Sequence, residues 1–327
     1  MKLATLKSKT NRDGDLCVVS QDLKTAVKAT AVAQSLREAL ENCAQTFPQL
    51  KKIYQDLNQG KAPDSFLFEA KDFHSALPRT WLFADGSAFI QHVKLVRQAR
   101  KAPLPETLLT VPLMYQAESG YFLAPTDDIP QRDFSHGTDF EAEVGVIVDD
   151  VPMGTSAEQA LKHIQLIVLI NDTSLRGLIP EELASGFGFF HSKPAKSLSP
   201  MALTPDELGN VWREGRLHLP LHVKYNNQFF GKANAGEMHF HFGQLIAHAA
   251  KTRNLVAGTL IGSGTVANED TSVGSSCLAE KRMIETINQG VPKTPFMKVG
   301  DKIEIWMENA QGQNLFGNIV QKVVSHA

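Results

Sequence analysis

The chain has 327 residues and a formal net charge of −2, and it is 43% hydrophobic and 21% charged. That is ordinary for a globular protein with a substantial core, and so even a balance excludes the basic face of a nucleic-acid binder or of a protein drawn to anionic membranes. Cys17, Cys43 and Cys277 are an odd number, widely spaced and without a CxxC pair, which excludes a disulfide framework or a cysteine zinc motif and suits a reducing compartment.

Residues 3–20 read as a hairpin, with Leu3–Leu6 and Leu16–Val19 flanking a turn that contains Asp13-Gly14. Lys24–Ala29 reads as a third strand. Residues 32–43 and 47–59 carry apolar residues at helical spacing, including Leu36, Leu40, Leu50, Ile53 and Leu57. This small α+β unit, taken as residues 1–78, shows no chemistry. The first residues lack an apolar signal-peptide core. The longest aliphatic run, Leu166–Ile170, is far short of the ~20 residues that span a bilayer. A cytoplasmic protein is expected.

From about residue 79 to 327 short strands dominate, with candidates at 109–114, 140–148, 164–171, 217–225, 256–263 and 302–307. Asn226-Asn227 marks a hairpin. Helices are expected at 156–163 and 242–252. Gly258, Gly262 and Gly264 lack the lysine and the context of a phosphate loop. The fold class is therefore α+β and mainly β.

The run Thr138–Asp150 carries the argument. As a strand it points Phe140, Ala142, Val144, Val146 and Val148 to one face, a core face, and Glu141, Glu143, Gly145 and Ile147 to the other. Two carboxylates side by side repel unless a cation neutralises them. The alternative is a solvated edge. Asp172 follows the apolar run and would be held by its end, or would be a simple turn or cap residue. Asp85-Gly86 by itself is a turn signal. Glu141, Glu143, Asp172 and Asp85 together would give an oxygen set for Mg²⁺, Mn²⁺ or Ca²⁺, and the absence of thiolates from it argues against zinc. Lys196, between Pro194 and Pro200, would be solvated, or near a metal would steady an anion. His92 precedes a helix near 93–97, and Glu280 would orient a histidine or lie on a helix surface. His239 and His241 are read as structural, at the start of the 242–252 helix.

Taken in order, Asp85, His92, Tyr115, Glu141 with Glu143, Asn171-Asp172, Lys196-Ser197, Thr265 and Glu280 resemble the fumarylacetoacetate hydrolase family over roughly residues 80–325. The resemblance implies a mixed β-sandwich roll behind a smaller N-terminal domain, usually in a homodimer. It implies a metal site of Asp85, Glu141, Glu143 and Asp172, His92 as general base, Glu280 as its carboxylate partner and Lys196 as the active-site lysine. Tyr115 and Thr265 match substrate-contacting positions, and the substrate-carboxylate arginine falls on Arg97, Arg100 or Lys101, with Arg100 placed first.

The pattern also departs from the family. Ser87 stands where a tyrosine is usual. Apolar residues near Ile179 and Leu183 replace a glutamine and a tyrosine. The spacing from Asp172 to Lys196 is a few residues long. The implied activity is metal-dependent C–C hydrolysis of a β-diketo acid, with fumarylacetoacetate (tyrosine degradation) leading and acylpyruvates or fumarylpyruvate next. Relatives on the same fold are decarboxylases or isomerases, which commonly lack the His–Glu pair. A non-catalytic metal-binding scaffold is the reading from outside enzymology.

Overall fold

In the computed structural model, which describes residues 1–99, 103–104 and 106–326, the Ala142–Val148 strand is a central strand of an eleven-stranded sheet. From one edge the strands run Phe66–Leu67, Thr25–Lys28, Asp15–Val19, Lys2–Leu6, Met201–Leu203, Ile164–Asn171, Ala142–Val148, Leu260–Gly262, Phe83–Gly86 and Met114–Ala117, with Ser197–Leu198 paired beside Ile164–Asn171. A second sheet holds Gln228–Asn234, Pro220–Tyr225, Lys302–Met307, Ile319–Ser325 and Ile129–Gln131.

The alternation read from the sequence has a physical counterpart on both faces. Phe140, Val144, Val146 and Val148 join Leu221, Val223, Ile303 and Ile305 of the second sheet in one apolar core. Ile147 turns the other way and joins Leu166, Val168 and Ile170 in a second core, which reaches Leu36, Leu40 and Leu50 of the first two helices. The strand is thus buried on both sides, and Glu141 and Glu143 do not lie on a solvated edge. Small residues make this possible. A Cβ on Gly145 would meet Ile170 Cδ1 at 2.6 Å.

The first 78 residues do not stand apart. Their hairpin forms as expected, and Lys2–Ala4 pairs with Met201–Leu203, so four N-terminal strands extend the large sheet. Helix Leu36–Glu41 starts where Ser35 Oγ accepts the Glu38 amide at 3.2 Å, an N-cap. It is followed by Cys43–Asn58. Asn226 and Asn227 take φ of 52° and 62° between the paired strands 220–225 and 228–234, the left-handed pair that a tight hairpin demands.

Other boundaries move. The strand expected at 109–114 is Met114–Ala117, after a turn at 106–110. The 217–225 run breaks into Arg216–Leu217 and Pro220–Tyr225, because Pro220 supplies no amide to a ladder. The helix at 156–163 is one α-turn, Ala157–Ala160, and a 3-10 turn. The 242–252 helix ends at Ala249. Asp85 lies in strand Phe83–Gly86, not a turn, because the parallel neighbour Leu260–Gly262 captures its backbone. His92 lies within helix Ile90–Ala99 rather than before it. Helix Leu278–Gln289 carries Glu280 in its first turn.

Candidate active site

Strand register assembles the carboxylates. Asn171 pairs with Ala142 and Ile170 with Glu143, and the Asp172 amide donates to Glu141 O at 2.9 Å. On the other side, Gly262 pairs with both Gly145 and Asp85. A Cβ on Gly262 would stand 2.1 Å from Asp85 Oδ1. The missing side chain therefore lets Asp85 reach across an intervening strand. One oxygen each of Asp85, Glu143 and Asp172 lies within 4.8 Å of the other two.

These groups are buried, and Glu143 and Asp172 have no exposure at all. Neither carboxylate oxygen of Glu143 has a hydrogen-bond partner among the described residues. Burial and the neighbouring Asp85 and Asp172 push Glu143 well above the carboxylate range, and burial with Asp172 pushes Asp85 up to about 7. Clustered carboxylates of this kind must hold protons or a cation. Their all-oxygen donors fit a hard divalent ion.

Glu141, expected as a fourth ligand, lies outside that three-acid group and faces cations of the chain, as Asp172 also does. Arg176 and Lys193 each approach Glu141 at 2.7 Å. Burial alone would raise its pKa, but Lys193 and Arg176 outweigh that and hold it well below the usual range. Lys193 also donates to Asp172 Oδ2 at 2.6 Å, as does the Tyr115 hydroxyl at 2.6 Å.

Lys196, expected as the active-site lysine, is fully buried and absent from the cavity wall. It donates to Pro194 O at 3.0 Å and lies 2.9 Å from Asp172 Oδ1. The lysine that faces the cavity is Lys193, three residues earlier. The overlong spacing from Asp172 to Lys196 was the signal for it. Arg176 and the buried Asp139 behind it carried no sequence signal.

A cavity of about 890 Å³ opens on this cluster. Asp85, Glu141, Glu143, His92, Tyr115, Thr265, Arg176 and Lys193 line it, with Phe89, Leu113, Leu183, Phe189 and Phe296 as apolar walls. Ser87 and Ile179, where the family pattern was broken, are on the wall too. Tyr115 packs edge-on against Phe189 at 4.9 Å. Arg97 lines the cavity, whereas Arg100 and Lys101 lie outside the described residues.

Burial pushes His92 down to about 4, so it is neutral near pH 7. Glu280 is buried in the helix start, accepts the Ser276 amide at 3.2 Å and is pushed up to about 8 by burial. A ring nitrogen of His92 and a Glu280 oxygen lie within 4.8 Å. His241 caps helix Phe242–Ala249, and His239 binds Leu109 O.

A model of the fumarylacetoacetate (FAA) hydrolase C-terminal region matches residues 82–324, and one of the fumarylacetoacetase N-terminal domain 2 matches residues 1–79. The chain is 26% identical over 210 residues to a 2,4-didehydro-3-deoxy-L-rhamnonate hydrolase of Sphingomonas sp. (strain SKA58), covering 63% of each. It is 24% identical over 170 residues to the oxaloacetate tautomerase YisK of Bacillus subtilis (strain 168), covering 52% of this chain and 48% of that one. The matches thus span about half to two thirds of these relatives. Among solved structures, a putative HpcE protein from Mycobacterium smegmatis superposes with TM-score 0.68 at 17% identity, over 100% of both chains. Maleylpyruvate hydrolase from Sphingobium sp. SYK-6, in complex with manganese(II) and pyruvate, gives 0.65 at 15%, again over both whole chains. Among the described residues no helix is long and apolar enough to cross a membrane. With both of its regions matched, the chain belongs to the fumarylacetoacetate hydrolase family.

Proposed function

We propose that this chain is a divalent-metal-dependent hydrolase that cleaves a C–C bond of a β-diketo acid. The observation that carries the reading is one cavity lined by a neutral His92 and by the Asp85 and Glu143 carboxylates, with Glu280 within 4.8 Å of His92 and Asp172 within 4.8 Å of Asp85 and Glu143. Asp85, Glu143 and Asp172 would hold Mg²⁺, Mn²⁺ or Ca²⁺. Such an ion, when bound, supplies Lewis-acid polarisation of substrate oxygens.

The protein's own groups do the rest. His92 takes a proton from water, and Glu280, with an oxygen within 4.8 Å of a ring nitrogen, orients the ring. The hydroxide adds to a ketone carbonyl. The C–C bond breaks, its electron pair passes to the leaving half as an enolate, and Lys193 steadies the oxyanion. His92 returns the proton to carbon. Water and the diketo acid thereby become a carboxylic acid and an oxo acid. Arg97 and Arg282 on the wall suit a second substrate carboxylate, which favours a diacid such as fumarylacetoacetate over a simple acylpyruvate. A cytoplasmic homodimer in aromatic catabolism completes the reading.

The test is the loss of β-diketone absorbance with chelator-treated protein, with and without each metal. Turnover only on metal restoration is expected. Equal turnover without metal overturns the reading. His92→Ala should cut turnover by about 10²–10⁴-fold while metal binding persists. Tautomerisation of oxaloacetate without diketo-acid cleavage would move the assignment to the isomerising relatives.

A further inference from the structure

A second cluster of metal-ligating side chains stands next to the carboxylates, and the proposed hydrolysis makes no use of one member. His92, Cys277 and Glu280 each bring one ligating atom, a ring nitrogen, the sulfur and a carboxylate oxygen, to within 4.8 Å of the other two. Chain order gave no hint of this. His92 rides on helix Ile90–Ala99, while Cys277 is the N-cap of helix Leu278–Gln289, and packing of the two helices brings the groups together. Cys277 is fully buried and Glu280 is 2% exposed. His92 Nδ1 is shielded from solvent and has no hydrogen-bond partner among the described residues, and neither has Oγ of the adjoining Ser276.

The donor chemistry differs from that of the first cluster. Asp85, Glu143 and Asp172 offer only oxygen, which suits hard cations. Nitrogen, sulfur and oxygen together are the donors Zn²⁺ takes, and three protein ligands leave its fourth position to water. We propose that His92, Cys277 and Glu280 form a zinc site, separate from the carboxylate site, whose occupation takes His92 out of catalysis and inhibits the enzyme. On binding, the thiol proton leaves to solvent and the sulfur ligates as thiolate. The inhibition rests on the hydrolase reading. The binding does not.

The test uses the full chain saturated with Mg²⁺, so that the carboxylate site is filled, and titrates it with Cd²⁺ as a thiolate reporter and separately with Zn²⁺. A sulfur-to-cadmium charge-transfer band saturating at one equivalent is expected, with turnover falling as Zn²⁺ binds. Serine is itself a good N-cap, so Cys277→Ser keeps the helix start and the Mg²⁺-supported turnover. It should lose the band and need at least ~10-fold more Zn²⁺ for inhibition. Wild-type protein without the band overturns the proposal. So does zinc inhibition undiminished in Cys277→Ser, which would put zinc among the carboxylates. If no β-diketo acid is turned over, the band and its loss in Cys277→Ser still decide the site.

Discussion

Asp139 and Glu143 lie on the same run of chain, and both are completely buried, but their surroundings differ. Asp139 accepts the Leu278 amide at 2.8 Å, the Ala279 amide at 2.9 Å and Arg176 Nε at 2.9 Å. Its charge faces the N-terminus of helix Leu278–Gln289, where the helix dipole favours an anion. Glu143 has no hydrogen-bond partner among the described residues and faces two more acids. The first carboxylate fastens the helix that carries Glu280. The second holds a proton in the ion-free protein, and a bound cation would take that proton's place.

The largest test of this contrast is Asp139→Ala. It strands part of Arg176 and two helix amides, so unfolding in urea should show a loss of about 3–5 kcal/mol. A loss under ~1 kcal/mol would break the comparison. Glu143→Gln should differ, leaving metal-free stability nearly unchanged, because burial and the neighbouring Asp85 and Asp172 already keep Glu143 protonated without metal and the amide is close to it in shape. Wild-type protein should gain about 2.7 kcal/mol at a metal concentration 100 times Kd, and Glu143→Gln should gain almost none. A full metal response in that variant would shift the site to Glu141.

A finer test concerns space. In Gly262→Ala the added methyl would collide with Asp85 Oδ1 at 2.1 Å. The expected result is a fall of about 10–100-fold in metal affinity at a stability cost of about 1–3 kcal/mol. Unchanged affinity would mean that Asp85 need not cross the strand to act.

These contrasts also mark what the sequence made legible. Alternation along 140–148 located the Glu143 strand, which runs from Ala142 to Val148 with Glu141 just before it, because the period of two is local. It did not separate the roles of the two glutamates. Arg176 and Lys193 neutralise Glu141 but leave Glu143 bare, and that depends on how the 173–196 segment folds back. Lys193 and Lys196 are alike in composition and differ only in which side of that segment they face. Asp85 looked like a turn because its partner strand, Leu260–Gly262, is remote in sequence. The meeting of His92 and Cys277 is a product of helix packing, which no local pattern encodes. Three of the four N-terminal strands were visible individually, but not Phe66–Leu67 nor the pairing of Lys2–Ala4 onto Met201–Leu203.

Asp13 extends the comparison to the protein's rim and carries the smallest expected effect. It sits in the first hairpin turn and accepts from Arg79 Nε at 2.6 Å and Nη2 at 3.0 Å, while Arg37 pairs with its other side. It thereby ties the hairpin and helix Leu36–Glu41 to the residue that opens the second region. The Arg79 hydrogen bond leads in holding its carboxyl below the usual range, against the opposing effect of burial. A folded pKa below the unfolded value of about 3.9 means that the native state binds fewer protons. Stability from Asp13 is therefore fully present above about pH 4 and is lost as pH falls through the folded value. Both arginines are partly exposed, at 21% and 33% of their side chains, so solvent and salt screen the pair. Asp13→Asn should cost about 1–2 kcal/mol at pH 7, less in high salt, with the gap to wild type closing below about pH 4. If it costs as much as Asp139→Ala, burial is not what ranks Asp13 against Asp139, and partners set the cost of losing an acid at the rim as they do between Asp139 and Glu143.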